Sequence, residues 1–359
     1  MSITRYLLPA ALALLLTACS DGNNNNNKSA APAPSLELSL SDAPIDLPGI
    51  TAEFAADVPY GDGELNRFDI YLPDCDAPTP LVIFIHGGGF TGGDKGRTHE
   101  EHAGEIREFL QACVAWASIN YALLEVPGAD GDLVAGAAQG GVRTSLDDTA
   151  RALQFMRYHD ESLNLDADNV ALYGNSAGAG SSLWLGTHDD MADPDNDDPV
   201  LRESTRVRAV GALATQATYD ILDWESILLP ITEPFAAVLG GTDIPSVAAG
   251  VGATNYLLTF LGISSLEELD DPAQLEYRAD IDMLELMDSG DAPVYVHNYV
   301  VSLDDLLNVF LHHGLHALAV KARADEVGLH SVAYSEDPVY FLEDPSGEGL
   351  VSFLLRHIR

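Results

Sequence analysis

The stretch that decides the fold is NVALYGNSAGAG, residues 169–180. Its first half, NVALYG, is an apolar run typical of a buried strand, and its small-residue second half favours a helix. Between them Gly174, Ser176 and Gly178 match the Gly-x-Ser-x-Gly pattern, in which a tight strand-to-helix turn exposes the serine hydroxyl. Ser176 is therefore a candidate nucleophile.

A second glycine motif precedes this turn in the chain. HGGGF, residues 86–90, follows the apolar run LVIFI at 81–85. Successive glycines let backbone N–H groups turn toward a ligand oxygen, and such donors stabilise the oxyanion of an acyl-transfer intermediate. The sequence predicts an oxyanion hole built from N–H groups of this glycine loop and the N–H of Ala177.

Strand and helix patterns alternate along the chain, which predicts an α/β fold: a mostly parallel sheet flanked by helices. In such sheets the ligand crevice lies beyond the carboxyl ends of the strands. Residues 225–290 form a long helical insertion, which at the rim of a sheet is typical of a lid or a binding wall. The predicted strands are 67–72, 81–85, 114–121, 169–174, about 206–215, 293–300 and 329–335, and the predicted helices are 98–112, 145–163 with a Ser/Asp cap, about 314–327 and a closing one.

The composition is strongly acidic. The chain has 359 residues, 56 of them acidic and 17 basic, with a formal net charge of -39. This charge disfavours nucleic acid and anionic lipid as partners. The acidic stretch 186–206 lacks the glycine and the final glutamate of a calcium-binding EF-hand, so we expect a solvated loop there. No metal or cofactor is implied.

The N-terminus carries targeting signals. Residues 1–19 combine one arginine, a short apolar run and Leu16–Cys19, typical of a secretory signal. They resemble a bacterial lipobox, which would make Cys19 the lipidated first residue; an ordinary signal peptide is the alternative. Ser20 resembles outer-membrane sorting. We expect a polar tether over 20–50, the main domain over 51–359, contact with a membrane through the N-terminal lipid only, and a location at the outer membrane or cell surface of a Gram-negative bacterium.

Export leaves two further cysteines in an oxidising compartment. Cys75 and Cys113 each lie just before a predicted strand, so the two thiols would sit at the same sheet edge if those strands are neighbours. A disulfide between them is one interpretation, and two free thiols are the other.

Several motifs together carry a family resemblance. HGGGFTGGDKG, INYAL, SLDDTARALQFMRYH and NVALYGNSAGAG resemble the α/β-hydrolase superfamily, in particular the exported carboxylesterases near the hormone-sensitive-lipase and feruloyl-esterase groups. The likeness runs from about residue 53 to the end and is closest in the first half of the domain. It implies that Ser176 is the nucleophile of a serine esterase and that Gly87, Gly88 and Ala177 supply the oxyanion donors. The apolar stretch 227–238 favours a small neutral ester with a short-to-medium acyl group as substrate.

One residue of the family pattern is missing. The family places its histidine in the loop after the last strand, and here that loop, SEDPVYFLEDPSGEG at 335–349, has none. Sheet polarity leaves His312 and His313, which precede Gly314 at the start of a predicted helix. Consecutive residues face different directions, so at most one reaches Ser176. We favour His312, since adjacent histidines here resemble a variant subgroup; His297 is the reserve candidate.

The acid that would orient this histidine stays open. Asp304 and Asp305 lie in the loop where the family places it, Asp220 ends the preceding strand, and Asp337 lies in the final loop. The missing histidine also leaves a second function open, that of a catalytically silent hydrolase fold acting as a surface binding protein. The oligomeric state is not fixed by these patterns.

Overall fold

The centre of the structure, a computed structural model, is one eight-stranded sheet. The structure describes residues 34–128, 140–299 and 306–359. The strands are β1 (Ala52–Pro59), β2 (Arg67–Pro73), β3 (Thr79–Ile85), β4 (Ala115–Ile119), β5 (Leu165–Asn175), β6 (Ala209–Leu213), β7 (Val294–Asn298) and β8 (Ser331–Ser335). Their order in the sheet is β1-β2-β4-β3-β5-β6-β7-β8. The β1–β2 and β2–β4 pairs are antiparallel and the other pairs are parallel, which confirms a mostly parallel sheet.

Strand β1 has no counterpart in the sequence-based prediction. It pairs with β2, but its register shifts between Ala55 and Val58. Asp57, inside this bulge, has a φ of 54°. A bulge puts an extra residue into one strand and so breaks the alternation of apolar and polar positions. The sequence pattern therefore hid this strand.

The inner strands are covered on both faces. Along β3, Ile83 and Ile85 belong to one buried apolar cluster. Val82 and Phe84, which point the other way, belong to a second cluster. Because successive side chains of a strand face opposite sides, two apolar sets in one strand require helices on both faces of the sheet.

Helices surround the sheet and form the insertion. The α-helices of the described ranges are α1 (Thr98–Glu101), α2 (Ala103–Gln111), α3 (Arg143–Tyr158), α4 (Asp160–Leu163), α5 (Ala177–Thr187), α6 (Trp224–Thr232), α7 (Ala236–Leu239), α8 (Ile244–Gly250), α9 (Thr254–Leu261), α10 (Pro272–Asp280), α11 (Met283–Leu286), α12 (Leu306–His312), α13 (Gly314–Val327) and α14 (Leu350–Ile358). Helices α6 to α11 lie in the insertion predicted at 225–290, which is helical as expected.

The helix predicted at 145–163 differs in two details. It is divided into α3 and α4 at His159, and it begins at Arg143 without a side-chain cap. The expected Ser/Asp cap is wrong because the hydroxyl of Ser145 instead donates to the carbonyl of Ala122 at 2.6 Å.

The folded unit begins earlier than the sequence suggested. Residues Pro34–Arg359 form one compact unit. Within it, Leu36 donates its N–H to Ser162 Oγ at 3.1 Å, and Ile45 is buried. The tether predicted over 20–50 is thus too long, because its last part packs on the domain. Residues 1–33, with Cys19, lie outside the described residues.

A disulfide joins the sheet strands near one end. Cys75, after β2, is bonded to Cys113, before β4, with 6.2 Å between their Cα atoms. β2 and β4 are neighbours in the sheet. Of the two interpretations of these cysteines, the structure contains the disulfide.

The acidic segment 186–206 uses its carboxylates within the protein. Asp190 accepts hydrogen bonds from the hydroxyl of Ser204 and the N–H of Thr205. Asp198 forms an ion pair with Arg151 at 2.6 Å.

Within the described ranges, no single helix has the length and apolarity needed to cross a membrane. Two helical stretches, Ile221–Leu239 and Ile244–Gly250, meet that test only together, and they are bent by 56° relative to each other.

Candidate active site

The candidate nucleophile lies at the turn between β5 and α5. Ser176 has φ 53° and ψ −118°, a strained combination for a residue with a side chain. A Cβ on Gly178 would overlap the carbonyl of Ile85, so only glycine lets α5 approach β3 this closely. The backbone N–H of Ser176 donates to Leu213 O at 2.8 Å. These contacts hold the serine hydroxyl at the carboxyl edge of the sheet.

The base candidate comes from α12. Ser176 Oγ lies 2.8 Å from His312 Nε2. On the other side of the ring, His312 Nδ1 lies 2.6 Å from Asn308 Oδ1. Burial lowers the pKa of His312 below its ordinary value, and a hydrogen bond with the backbone of Asn308 partly offsets this effect. A neutral imidazole at this position is able to accept a hydroxyl proton near neutral pH.

The other two candidate histidines point elsewhere. His313 caps α13, its Nδ1 accepting the N–H of Leu315 at 3.2 Å, and its Nε2 lies 3.4 Å from Asp337 Oδ2. His297 Nε2 is 3.0 Å from Glu336 Oε1. Neither forms a hydrogen bond with Ser176 in the described structure.

The carboxylate candidates divide into three groups. Asp304 and Asp305 lie outside the described residues. Asp220 forms two hydrogen bonds with the guanidinium of Arg278, at 2.9 and 2.7 Å. Asp337 faces His313. Within the described ranges no carboxylate forms a hydrogen bond or ion pair with His312, so Asp220 and Asp337 do not occupy the position of an orienting acid.

The glycine loop lies against the serine turn. A Cβ on Gly87 would come within 3.1 Å of Ser176 Cβ, which shows how closely the two backbones approach. Gly89 and Ala177 line a cavity with Ser176. The sequence named Gly87 and Gly88 as the loop donors; of the three loop glycines, Gly89 is the one that lines this cavity. No described residue accepts a hydrogen bond from the N–H of Gly87, Gly88, Gly89 or Ala177.

Two side chains hold this loop from outside. The ring of His86 stacks on Tyr121 with 4.4 Å between ring centroids, and its Nδ1 lies 2.8 Å from Gly87 O. Tyr256, from α9 of the insertion, donates its hydroxyl to Gly89 O at 2.9 Å. Sequence reasoning missed Tyr256, since nothing in the pattern of α9 separates it from an ordinary packing aromatic.

The cavity beside Ser176 has a volume of about 80 Å³ and an almost wholly apolar lining. The insertion supplies much of its wall, as expected for a binding wall. Of the apolar stretch 227–238, Leu228 and Thr232 line the cavity. Phe235 and Val238 are exposed instead. The remaining wall includes Phe90, Tyr219, Trp224, Val247, Leu257 and Phe310.

Two buried amides fix the end of α12. Asn298, the last residue of β7, donates its Nδ2 to the carbonyl oxygens of His312 and His313 at 3.3 and 3.1 Å. Gln216 donates to Leu311 O at 2.8 Å. Sequence reasoning missed Asn298. Its signal was an asparagine near the carboxyl end of a strand predicted to be buried.

One acidic group resembles a cation site in composition. Asp220, Asp223 and Asp282 bring one carboxylate oxygen each within 4.8 Å of one another. Arg278 binds both oxygens of Asp220, and Asp282 accepts the hydroxyl of Thr218 at 2.8 Å. Arg278 therefore neutralises Asp220, one of the three carboxylates.

The comparison with protein families decides the identity. The model of the family BD-FAE matches residues 68–257, just over half of the chain and both glycine motifs. The chain belongs to the BD-FAE family. BD-FAE is a family of esterases. The resemblance to hormone-sensitive-lipase-like and feruloyl-esterase-like carboxylesterases is confirmed.

Curated relatives match shorter segments. Over 123 residues, 33% of the chain, it is 28% identical to the probable isoprenylcysteine alpha-carbonyl methylesterase ICMEL1 of Arabidopsis thaliana. Over 33 residues, 9% of the chain, it is 54% identical to the kynurenine formamidase of Danio rerio. The matches span 22% and 11% of these relatives' lengths.

Solved structures share the fold of this BD-FAE member. A truncated carbohydrate esterase from gut microbiota superposes with a TM-score of 0.52 at 17% identity, over 80% of this chain and 92% of the other. Esterase B from Lactobacillus rhamnosis, inhibited by a tributyrin phosphonate, gives 0.51 at 14% identity, over 85% and 84%. At these identities the likeness establishes the α/β-hydrolase fold.

Proposed function

We propose that this protein is a serine esterase that works through an acyl-enzyme. The observation that carries the proposal is the 2.8 Å contact between Ser176 Oγ and His312 Nε2 beside an apolar cavity. Ser176 Oγ attacks the ester carbonyl carbon while His312 Nε2 takes the hydroxyl proton. The imidazolium then returns this proton to the leaving alcohol oxygen as the C–O bond breaks. A water molecule then attacks the carbonyl carbon of the acyl-enzyme, and His312 again takes and returns the proton. The carboxylic acid leaves and Ser176 is restored.

Backbone donors stabilise the charge that develops on the carbonyl oxygen. The loop Gly87–Gly89 and Ala177 surround Ser176, and their N–H groups have no acceptor among the described residues. Ala177 also begins α5, so the positive end of the helix dipole faces the oxyanion. Removing one donor of such a hole typically costs about 100- to 1,000-fold in kcat.

The cavity indicates the class of substrate. Its lining is apolar, which suits the hydrocarbon part of an acyl group. The net charge of -39 disfavours anionic esters near the entrance. We therefore assign a neutral ester with a short-to-medium apolar acyl chain. Turnover of p-nitrophenyl esters should peak at such chains and fall for acyl groups that carry a carboxylate; a preference for the carboxylated esters would contradict the assignment.

The alternative is a catalytically silent binding protein. Its ground was the absence of a histidine after the last strand. His312, contributed by α12, supports the enzyme instead because it supplies an acceptor for the Ser176 proton without that loop.

The test is active-site labelling of the full-length chain. A fluorophosphonate should label Ser176, and Ser176→Ala should lose both labelling and p-nitrophenyl butyrate turnover. Ser226→Ala is the matched control, because Ser226 is exposed on α6 and its hydroxyl bonds only to Asp223 O at 3.0 Å. A folded wild-type protein without labelling would favour the silent binding protein.

We also propose that lipid at Cys19 anchors the domain at the outer membrane or cell surface. The support is the lipobox-like sequence before Cys19 and the polar residues after it. In a Gram-negative host the protein should fractionate with membranes. Cys19→Ala should give an unprocessed or mis-sorted product, and Ser20→Asp should stay lipidated but change its membrane. Normal processing of Cys19→Ala to a soluble protein would refute lipidation.

A further inference from the structure

His312 has a hydrogen-bond partner at Nδ1 that the proposed reaction does not yet use. Asn308 and His312 lie four residues apart on α12, so their side chains share one face of the helix. Asn308 Oδ1 is 2.6 Å from His312 Nδ1. An amide thus occupies the place where an orienting carboxylate is expected in a serine hydrolase.

This contact fixes the tautomer of the imidazole. An amide oxygen only accepts hydrogen bonds, so His312 Nδ1 must carry the proton. Nε2 then presents its lone pair toward the Ser176 hydroxyl, 2.8 Å away. This tautomer is the one that can act as a general base.

We propose that Asn308 is the positioning residue of His312, so that the catalytic unit is Ser176–His312–Asn308 with a neutral third member. The inference rests on the proposed serine esterase function and adds to it how the base is held. Asn308 does not touch the reacting atoms. It orients the ring and selects its tautomer.

The surrounding charges agree with a neutral third member. His312 and Asn308 share α12, and the described groups that face the imidazole from neighbouring segments are the Ser176 hydroxyl, the amide of Asn298 at its carbonyl, and two further imidazoles. His313, the next residue, directs its Nε2 toward Asp337. His316 on α13 is fully buried, which lowers its pKa to about 4, so it stays neutral near pH 7. None of these groups places a negative charge on His312.

A neutral Asn308 affects the pKa of His312 during the reaction. When Ser176 attacks, His312 becomes an imidazolium, and the dipole of Asn308 stabilises it less than a carboxylate would. The base therefore keeps a low pKa, and the activity should rise through an acidic limb below pH 6.5. A carboxylate at position 308 would stabilise the imidazolium and move this limb to higher pH.

The experiment compares Asn308→Asp and Asn308→Ala in the full-length chain by pH profiles of kcat/KM. In Asn308→Asp the acidic limb should move up by about one to two pH units, the shift that an adjacent opposite charge produces. Asn308→Ala should lose about 10- to 100-fold in kcat with little change in KM, since ring orientation matters in the transition state. The near-isosteric Asn308→Asp keeps the test valid if Asn308→Ala fails to fold.

Asn169→Asp is the matched control. It adds the same charge in β5, before the apolar core of that strand, where Asn169 bonds to Asp166 at 2.8 Å. It should leave the acidic limb in place. An unmoved limb in Asn308→Asp, or an Asn308→Ala variant with wild-type kcat, would overturn the inference while fluorophosphonate labelling of Ser176 still supports the esterase. A wild type that is not labelled would remove both.

Discussion

The hydroxyl of Tyr256 bonds the helical insertion to the glycine loop. Its removal should slow catalysis without changing the size of the cavity, because the ring remains. Tyr256→Phe deletes one hydrogen bond, the 2.9 Å contact with Gly89 O, and keeps the ring that packs near Phe260. The net value of such a bond is about 1 kcal/mol. If the whole amount is used to hold the loop in the transition state, kcat falls about fivefold.

Two bounds surround this figure. Complete loss of one oxyanion donor would lower kcat about 100-fold or more. A loop that shifts only slightly should lower kcat by less than this. The KM for p-nitrophenyl butyrate should change little, because the variant keeps the Tyr256 ring that lines the cavity and loses only the hydroxyl that bonds to Gly89 O. Affinity for a trifluoromethyl ketone, which mimics the tetrahedral intermediate, should weaken in step with kcat/KM.

Tyr277→Phe provides the matched control. Tyr277 lies on α10 of the same insertion and donates its hydroxyl to Phe260 O at 3.0 Å, away from the glycine loop. The same chemical change there should lower thermal stability and leave kcat unaltered. Equal losses of kcat in both variants, or wild-type kcat in Tyr256→Phe, would refute a role of Tyr256 in holding the loop.

Three further changes test the fold and the cavity. Cys75→Ser with Cys113→Ser opens a loop of 38 residues, and the chain-entropy expression gives a loss of about 4 kcal/mol in unfolding free energy; urea titration should find it, and a loss below about 1 kcal/mol would contradict that account. Val247→Trp should fill the cavity and lower kcat/KM for octanoate about tenfold or more while sparing acetate; equal effects on both esters would deny Val247 a place in the acyl wall. Gly178→Ala should prevent folding, because its Cβ would overlap the carbonyl of Ile85; a folded and active variant, seen by circular dichroism, would contradict this.

The sequence predicted the parts of the site that depend on short-range backbone rules. The turn at Ser176 needs Gly174 and Gly178 at fixed spacing, and the loop after β3 needs its glycines, so both motifs are readable in a single sequence. Strand β1 escaped because its bulge at Asp57 breaks the alternating pattern.

The remaining parts depend on long-range contacts. His312 was preferred to His313 through a family resemblance, and only the placement of α12 beside the turn after β5 brings its Nε2 to Ser176 Oγ. Asp220 was a candidate for the carboxylate that orients the histidine. The structure pairs it instead with Arg278, which lies far from it in the sequence. Asn308 was missed because an asparagine within a helix carries no signal until its neighbour on the next turn is known to be the base.

With the proposed base on α12, the segment after β8 contributes no residue to the proposed catalytic unit. Mutual backbone hydrogen bonds between Ser335 and Leu342, at 2.8 and 3.0 Å, close this segment at its root. Val339 and Phe341 project from its tip, 79% and 64% exposed. A peptide tag or a designed recognition loop grafted at Val339 would therefore project into solvent, provided that Tyr340, whose ring lies 5.4 Å from that of His313, is kept. We expect such a graft to change what the surface binds and to leave the proposed Ser176–His312 pair in place.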